Sequence, residues 1–298
     1  MTHPTILDVP TSIFSFPPLQ KDAPTAHDEQ QKQVAALLHE IEHVHSELAR
    51  QSSLEPCEVV NALFTQLVTF CIRPYPLTRQ LIKEPLFHVL TKKLQPLCSE
   101  GEFRLERHWA RRICDGSGVE EFPYYGNYVD LTRMEVHALE AVAGDRVTRW
   151  RRAVFIGSGP LPLTSILLQK HFPDIRVDNV DLDSEACKLG AGVAQSIGVQ
   201  EMNFHNADAL DYEDLRDADL VILAALVGKT REEKRRFVEH LSQCTRSGTY
   251  VLLRSAHGLR TLLYPVVEPE DLETHFRTLL VVHPHTNVVN SVVVAQRL

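Results

Sequence analysis

Long apolar runs, paired cysteines and secretory features are missing from this 298-residue sequence, and each absence argues against a class of protein. No stretch approaches the about 18 apolar residues that a membrane-spanning helix needs. Residues 1–21 lack the basic start and apolar core of a signal peptide. The six cysteines are scattered without a Cys-x-x-Cys pair, which argues against a zinc site or a disulfide scaffold. We therefore expect a cytoplasmic protein with no membrane partner and no metal.

Positive charge is also in the minority, with 31 Lys and Arg residues against 39 Asp and Glu residues. Domains that bind nucleic acid carry a basic surface, so a formal net charge of −8 argues against such a partner. The hydrophobic fraction of 44% is ordinary for a globular protein, and the length allows two domains. Nothing in the composition indicates the oligomeric state.

The first third of the chain has helical patterns and no strand-like alternation. Residues 1–28 are rich in proline and lack periodicity, which predicts an extended or disordered arm. Residues 29–118 are predicted to form a helical cap domain, with Pro85 and Pro96 dividing its later helices. His39 and His43 have a spacing seen in metal ligands, but no third ligand supports them, and a polar helix face is the alternative reading.

The rest of the chain is organised around residues 152–169, RAVFIGSGPLPLTSILLQ. A short apolar run ends at Gly157-Ser158-Gly159, and an apolar stretch with helical spacing follows. This pattern predicts a strand, a tight glycine turn and a helix whose free N–H groups face a ligand. Because the third glycine of the dinucleotide motif is missing, the turn alone is a weak signal of a nucleotide site.

Acidic residues after the next strands strengthen that signal. Asp181 and Asp183 end a second apolar strand, and Asp208 follows a third. A carboxylate at the end of the second strand accepts both ribose hydroxyls in nucleotide-binding sheets. A solvated loop or a helix cap is the alternative for Asp181 and Asp183. Together with the turn, these acids favour S-adenosylmethionine (SAM) over NAD as the ligand.

Strand and helix patterns alternate after the glycine turn, which predicts an open parallel sheet. The predicted strands lie near 152–157, 175–181, 201–205, 219–224 and 248–254. Residues 279–283 and 288–296 form a predicted antiparallel hairpin at the sheet edge, an arrangement characteristic of SAM-dependent transferases. We therefore predict an α/β fold: a Rossmann-like sheet of the SAM-dependent methyltransferase type over residues 119–298, with the all-helical cap domain before it.

Two further groups of residues have the chemistry of a binding site. Tyr124, Tyr125 and Tyr128, in the segment FPYYGNY, form either an aromatic wall with hydroxyls aimed at a ligand or a packed seam between domains. A second group follows the fifth strand. In that group Arg254 has the geometry to clamp a carboxylate, and His257 is either a base or a structural loop residue.

The sequence resembles the nicotianamine synthase family along most of its length. The similar segments are VNALFTQLVTFCI (60–72), LERHW (105–109), FPYYGNY (122–128), FIGSGPLPLTS (155–165), DLVILAALVG (219–228), EEK (232–234), LRSAHG (253–258), LLYPVVEPEDL (262–272) and NSVVVA (290–295). The resemblance implies a transferase that joins aminocarboxypropyl groups from three SAM molecules, releases 5′-methylthioadenosine and closes an azetidine ring. It implies no enzyme-bound metal, and a role in metal homeostasis for the product.

The resemblance also implies roles for individual residues. Glu106 would orient and deprotonate the amine with Tyr125 and Tyr124, and Tyr125 is the favoured partner. The SAM-binding residues would be Gly157, Ser158, Gly159, Asp181, Asp183, Asp208 and Ala225. The acceptor side would be lined by Tyr128, Arg254, His257 and Tyr264.

Three other readings remain open. A related synthase would make fewer transfers or use another acceptor. An ordinary SAM methyltransferase would release S-adenosylhomocysteine instead of methylthioadenosine. A SAM-binding regulator without activity would not need the glutamate and the tyrosines together.

Overall fold

The computed structural model describes residues 26–73, 76–199 and 201–298, which form a helical part followed by a mixed sheet with helices. The predicted arm lies outside the described residues except for 26–28, which belong to the first helix. The helices are α1 (Ala26–Ala49), α2 (Glu58–Ile72), α3 (Thr78–Leu81), α4 (Pro85–Cys114), α5 (Tyr125–Ala143), α6 (Leu163–His171), α7 (Ser184–Ser196) and α8 (Arg231–Cys244). The strands are β1 (Arg152–Ile156), β2 (Arg176–Asp181), β3 (Met202–Asn206), β4 (Leu220–Leu223), β5 (Tyr250–Ser255), β6 (Phe276–Val282) and β7 (Ser291–Arg297).

The strands form one sheet in the order β3-β2-β1-β4-β5-β7-β6. The pairs among β1 to β5 are parallel, while β7 runs antiparallel to both β5 and β6. This order confirms the predicted α/β fold with its antiparallel hairpin. The strand order reverses between β1 and β4, and ligands bind at such a point, beyond the carboxyl ends of the strands.

The predicted division of the cap helices is confirmed at Pro85 and is wrong at Pro96, because α3 ends at Leu81 and α4 begins at Pro85. Pro85 occupies the first turn of α4, where its missing N–H costs little, and the preceding Glu84 is extended as expected before proline. Pro96 lies inside the same 30-residue helix and does not end it. The buried side chains of Leu94 and Cys98, on either side of this proline, pack into the helical core and hold both halves in one line. The result is a single long helix that reaches from the cap to the sheet.

The tyrosine-rich segment is also more helical than the sequence suggests. The sequence predicts a helix from about residue 131, whereas α5 begins at Tyr125. Gly126 lies in the first turn of α5, and a side chain built on it would meet open space. The presence of this glycine therefore does not prevent the helix from beginning there. Tyr128 therefore sits on the first turn of a helix rather than in a loop.

The core of the helical part includes residues from the far end of the chain. Leu259, Leu262 and Leu263 are buried in one cluster with side chains of α1, α2 and α4. They belong to a short 3₁₀ helix, Gly258–Leu262, and the residue after it, which follow β5. The segment that follows β5 is therefore packed against the helical part. The domain boundary at residue 118 stays a prediction.

Candidate active site

A cavity of about 780 Å³ lies between the carboxyl edge of the sheet and the helical part. This volume falls in the upper range of small-molecule sites. The predicted site residues that line it are Glu106, Tyr124, Tyr128, Gly157, Ser158, Gly159, Asp181, Asp208, Ala225, Arg254 and Tyr264. The fold thus brings together side chains from both parts of the chain.

Three predicted site residues lie outside the cavity lining. Tyr125 packs in the aromatic cluster around Trp109. Asp183 is exposed and caps α7, with its carboxylate accepting the N–H of Ala186 at 2.8 Å. The exposed His257 stacks on the ring of His283, with 4.1 Å between the ring centres. For Asp183 the alternative reading as a helix cap fits the structure better than a role in binding SAM.

The glycine turn after β1 needs glycine for steric reasons. Gly157 has a φ of +79°, and a methyl group built on it would collide with Val227 in the loop after β4. Its N–H donates to the carbonyl of Val180 on β2 at 2.8 Å. The turn is therefore fixed between the ends of β2 and β4, with no room for a side chain.

The backbone of Gly159 lies between two carboxylates, that of Asp181 at the end of β2 and that of Glu106 on α4. Its N–H donates to Oδ2 of Asp181 at 2.8 Å, and its φ is +66°. A methyl group built on Gly159 would lie 2.7 Å from Oε2 of Glu106. The carboxylate of Glu106 therefore lies against the turn where the sequence predicts that SAM binds.

We expect Gly159→Ala to reduce turnover strongly. The new methyl group has to push the Glu106 carboxylate out of its position, and the left-handed backbone adds about 1–2 kcal/mol of strain. Steady-state assays and chemical denaturation measure the two effects separately. The matched control is Gly198→Ala, because Gly198 also has a positive φ, +72°, but has open space around it. Equal losses of activity in both variants would contradict the steric argument.

Two buried polar atoms at the cavity wall have no hydrogen-bond partner in the described part of the chain. They are the hydroxyl of Ser158, in a residue only 6% exposed, and Nδ2 of Asn290, in a residue 8% exposed. Both residues line the cavity. Buried polar groups are nearly always satisfied, so these atoms indicate positions where a polar ligand completes the hydrogen bonding.

Glu106 is buried in α4 and accepts a hydrogen bond from the hydroxyl of Tyr128. Burial raises the pKa of its carboxyl well above the ordinary value, and the nearby Glu102 raises it further. The Tyr128 hydrogen bond and the positive charge of Arg254 act in the opposite direction. A raised pKa makes the carboxylate of Glu106 a stronger proton acceptor than an exposed glutamate.

Arg254 is held by an acid that the sequence analysis did not single out. Its Nε and one terminal nitrogen donate to the two carboxylate oxygens of Glu135, at 2.7 and 3.0 Å, and that nitrogen also donates to the hydroxyl of Thr164 at 2.6 Å. Arg254 and Glu135 are 6% and 1% exposed. The bidentate clamp predicted for Arg254 is thus made with the protein itself, although the residue still lines the cavity.

Lys234 is a second missed residue, buried under the loop after β4. Its Nζ donates to the carbonyl of Ala225 at 2.7 Å and more weakly to that of Ala224 at 3.4 Å. Its side chain forms no ion pair within the described ranges, and the residue is 1% exposed. Burial lowers the pKa of the ammonium from 10.5 to about 7. The hydrogen bonds of Lys234 therefore hold the loop after β4 in place, and the burial of its ammonium charge lowers stability.

The lowered pKa of Lys234 predicts how the free energy of unfolding changes with pH. Between pH 7 and 10.5 the unfolded chain keeps the Lys234 proton while the folded chain loses it, so this group's contribution to the free energy of unfolding rises with pH. The difference in unfolding free energy between the unchanged chain and Lys234→Met should rise by about 1.4 kcal/mol per pH unit above about pH 7.5. Denaturation at several pH values measures it. The exposed Lys188→Met should give no slope, and a flat difference for Lys234→Met would contradict the assignment.

No group of three or more His, Cys, Asp or Glu residues suited to a metal ion occurs within residues 26–73, 76–199 and 201–298. His39 and His43 are both exposed on α1. Across these same ranges no helix combines the length and the apolar character needed to span a bilayer.

Some of the missed residues left a signal in the sequence. Glu102 lies four residues before Glu106, so both project from the same face of α4. Lys234 ends the similar segment EEK, to which no role was given. Glu135 left no signal, since an isolated glutamate in a helical pattern is usually solvated.

Strand order, glycine turn and adjoining acids together define a Rossmann-like fold of the SAM-dependent transferase class. The family model "Nicotianamine synthase protein" matches residues 29–298. The chain belongs to the nicotianamine synthase family.

Named relatives agree with this assignment. The chain is 39% identical over 278 residues to "Probable nicotianamine synthase 3" of Hordeum vulgare, covering 89% of this chain and 81% of the relative. It is 39% identical to "Nicotianamine synthase 1" of Oryza sativa subsp. japonica, covering 90% and 83%. In both comparisons the similarity covers most of this chain and most of the relative.

Solved structures agree with the fold. The crystal structure of MtNAS in complex with MTA and tNA superposes with a TM-score of 0.73 at 22% identity, covering 90% of this chain and 98% of that one. A mutant of MtNAS in complex with S-adenosylmethionine also gives 0.73, at 23% identity, covering 87% and 97%. At these identities the structures support the shared fold.

Proposed function

We propose that this protein is a nicotianamine synthase that transfers 3-amino-3-carboxypropyl groups from three SAM molecules. One observation carries the proposal: the buried carboxylate of Glu106, paired with Tyr128, touches the glycine turn at Gly159. This contact supports Glu106 as a proton acceptor beside the position expected for the sulfonium. A synthase that makes fewer transfers or uses another acceptor is the alternative.

The reaction needs a base because the attacking amine is protonated in neutral water. In the proposed step the ammonium gives a proton to the Glu106 carboxylate, and the nitrogen lone pair attacks the γ-carbon of the SAM amino acid arm. The C–S bond breaks, its electron pair stays on sulfur, and neutral methylthioadenosine leaves. The positive charge passes from sulfur to nitrogen, so Glu106 faces a cation before and after transfer.

SAM placement follows from the polar groups around the turn. We assign the amino acid end to Gly157, Ser158 and Gly159, where the unpartnered Ser158 hydroxyl is available. Asp181 accepts the ribose hydroxyls and Asp208 contacts the adenine edge, and Ala225 also lines the cavity. In the proposed pose the γ-carbon, rather than the methyl group, faces the amine near Glu106. Attack requires alignment with the C–S bond, so positioning decides between transferase and methyltransferase chemistry.

The decisive experiment is mass spectrometry of the purified protein incubated with SAM alone. We expect nicotianamine together with methylthioadenosine in a ratio of about one to three, as the proposed stoichiometry requires. Methylthioadenosine with a shorter product would favour the alternative synthase. S-adenosylhomocysteine, or no turnover, would overturn the proposal in favour of a methyltransferase or an inactive SAM-binding protein.

We also propose a cytoplasmic location and a role of the product in metal homeostasis. All six cysteines, which lie within the described ranges, are free, and this suits a reducing compartment. Fractionation of cells that express the protein tests the location. Loss of metal tolerance on deletion of the gene tests the role.

A further inference from the structure

The cavity contains a second pair of acid and tyrosine. We call Glu106 with Tyr128 the turn pair, and Glu102 with Tyr264 the helical pair. The hydroxyl of Tyr264 donates to Oε2 of Glu102 at 2.8 Å, in the same way as Tyr128 donates to Glu106. All four residues line the cavity. The same chemical arrangement therefore occurs twice in one cavity.

The two pairs differ in their distance from the glycine turn. Glu106 touches the turn at Gly159. Glu102 lies one helical turn earlier on α4, and Tyr264 packs against the core of the helical part. Residues one turn apart on a helix have Cβ atoms about 5–6 Å apart. The helical pair therefore extends the acidic wall of the cavity away from the expected position of SAM.

In the described part of the chain neither Glu102 nor Glu106 forms an ion pair. The charge of the nearby Arg254 acts to lower the pKa of both carboxyl groups, but its guanidinium is engaged with Glu135. Burial raises the pKa of both carboxyl groups, and the charge of Glu102 raises that of Glu106 further. Two such carboxylates become more stable when a ligand supplies positive charge at both positions.

The product of one transfer carries positive charge with this spacing. Its newly formed secondary amine and its new primary amine are separated by the three carbon atoms of one aminocarboxypropyl unit. In an extended chain this separation is comparable to the about 5–6 Å between the Cβ atoms of residues one helical turn apart. A ligand with two ammonium groups can therefore reach both pairs at once.

We propose that Glu102, oriented by Tyr264, binds the secondary ammonium of the growing product while Glu106 receives the next reacting amine. This inference rests on the proposed function and adds a subsite to it. After each transfer the chain moves by one unit, the alkylated nitrogen passes from Glu106 to Glu102, and a new SAM occupies the turn. No bond forms or breaks at Glu102, which acts through binding alone.

The test compares Glu102→Gln with Glu106→Gln in the full chain, using SAM and mass spectrometry of products. With Glu102→Gln we expect methylthioadenosine to form still, the product of one transfer to accumulate, and the yield of nicotianamine to fall by about 10- to 100-fold, as for loss of a hydrogen bond to a charged group. Glu106→Gln should suppress every transfer. A wild-type product ratio from Glu102→Gln, or an equal loss of all transfers, would overturn the subsite.

Two further measurements separate binding from structural damage. The purified one-transfer product, supplied with SAM, should show a raised KM in Glu102→Gln while the KM for SAM stays unchanged. Tyr264→Phe keeps the ring and removes the donor, so it should shift the product ratio in the same direction, and it carries the test if Glu102→Gln fails to fold. An unchanged KM for the one-transfer product would count against the subsite. If the unchanged protein forms no methylthioadenosine from SAM, the proposed function itself is overturned.

Discussion

Glu106→Gln should bind SAM with nearly the affinity of the unchanged protein and transfer its aminocarboxypropyl group about 100- to 10,000-fold more slowly. The amide cannot take the proton from the amine, so the nucleophile remains protonated. Because the carboxyl is buried near Glu102 and Asp181, a neutral side chain relieves charge repulsion, and stability should not fall. Titration calorimetry measures SAM binding, and quantification of methylthioadenosine measures transfer.

Two control variants make the result specific. Glu100→Gln changes an exposed glutamate of the same helix, one that pairs with Arg104 on the surface, and should leave turnover unchanged. Tyr128→Phe removes the hydrogen bond to Glu106 and should reduce turnover, whereas Tyr125→Phe, outside the cavity lining, should not. Turnover of Glu106→Gln at the rate of the unchanged protein would contradict the assignment of Glu106 as the base.

Arg254→Met should lower the free energy of unfolding by about 3–5 kcal/mol. The substitution leaves the carboxylate of Glu135, which is 1% exposed, without its bidentate partner in the interior. It also removes the guanidinium that lies 5.4 Å from the centre of the Phe155 ring on β1. Chemical denaturation measures the loss, and a loss below about 1 kcal/mol would contradict a structural ion pair.

The double variant Arg254→Met with Glu135→Met separates the structural role of Arg254 from a role in substrate binding. Apolar residues of similar volume in place of both charges often restore stability. If Arg254 also binds an acceptor carboxylate, the restored protein should still have a raised KM. Recovery of both stability and KM would limit Arg254 to the ion pair.

The parallel sheet could be predicted from sequence because its strands are short apolar runs that end in glycine or acid. The predicted strand 152–157 and the observed Arg152–Ile156 differ by one residue. Pro96 was harder to interpret than Pro85, because local preference disfavours a proline inside a helix while the tertiary packing of Leu94 and Cys98 decides the outcome.

The partners within the site could not be predicted by periodicity. Arg254 and Glu135 are 119 residues apart in sequence, and no local pattern reports a pairing over that distance. The choice among the tyrosines depended on where α5 begins, because a start at Tyr125 directs Tyr128, and not Tyr125, to Glu106. The resemblance to a family supplied Glu106 but not its neighbour Glu102.

The burial of Leu259, Leu262 and Leu263 among the helices α1, α2 and α4 bears on how this protein can be recombined with its relatives. A chimaera that exchanges only residues 29–118 would match a foreign helical surface with the native 3₁₀ segment and leave three leucines facing the wrong partners. Exchange of two separate gene fragments, the helical part together with residues 258–264, would keep this contact and the partner of Glu102 in one transplanted unit.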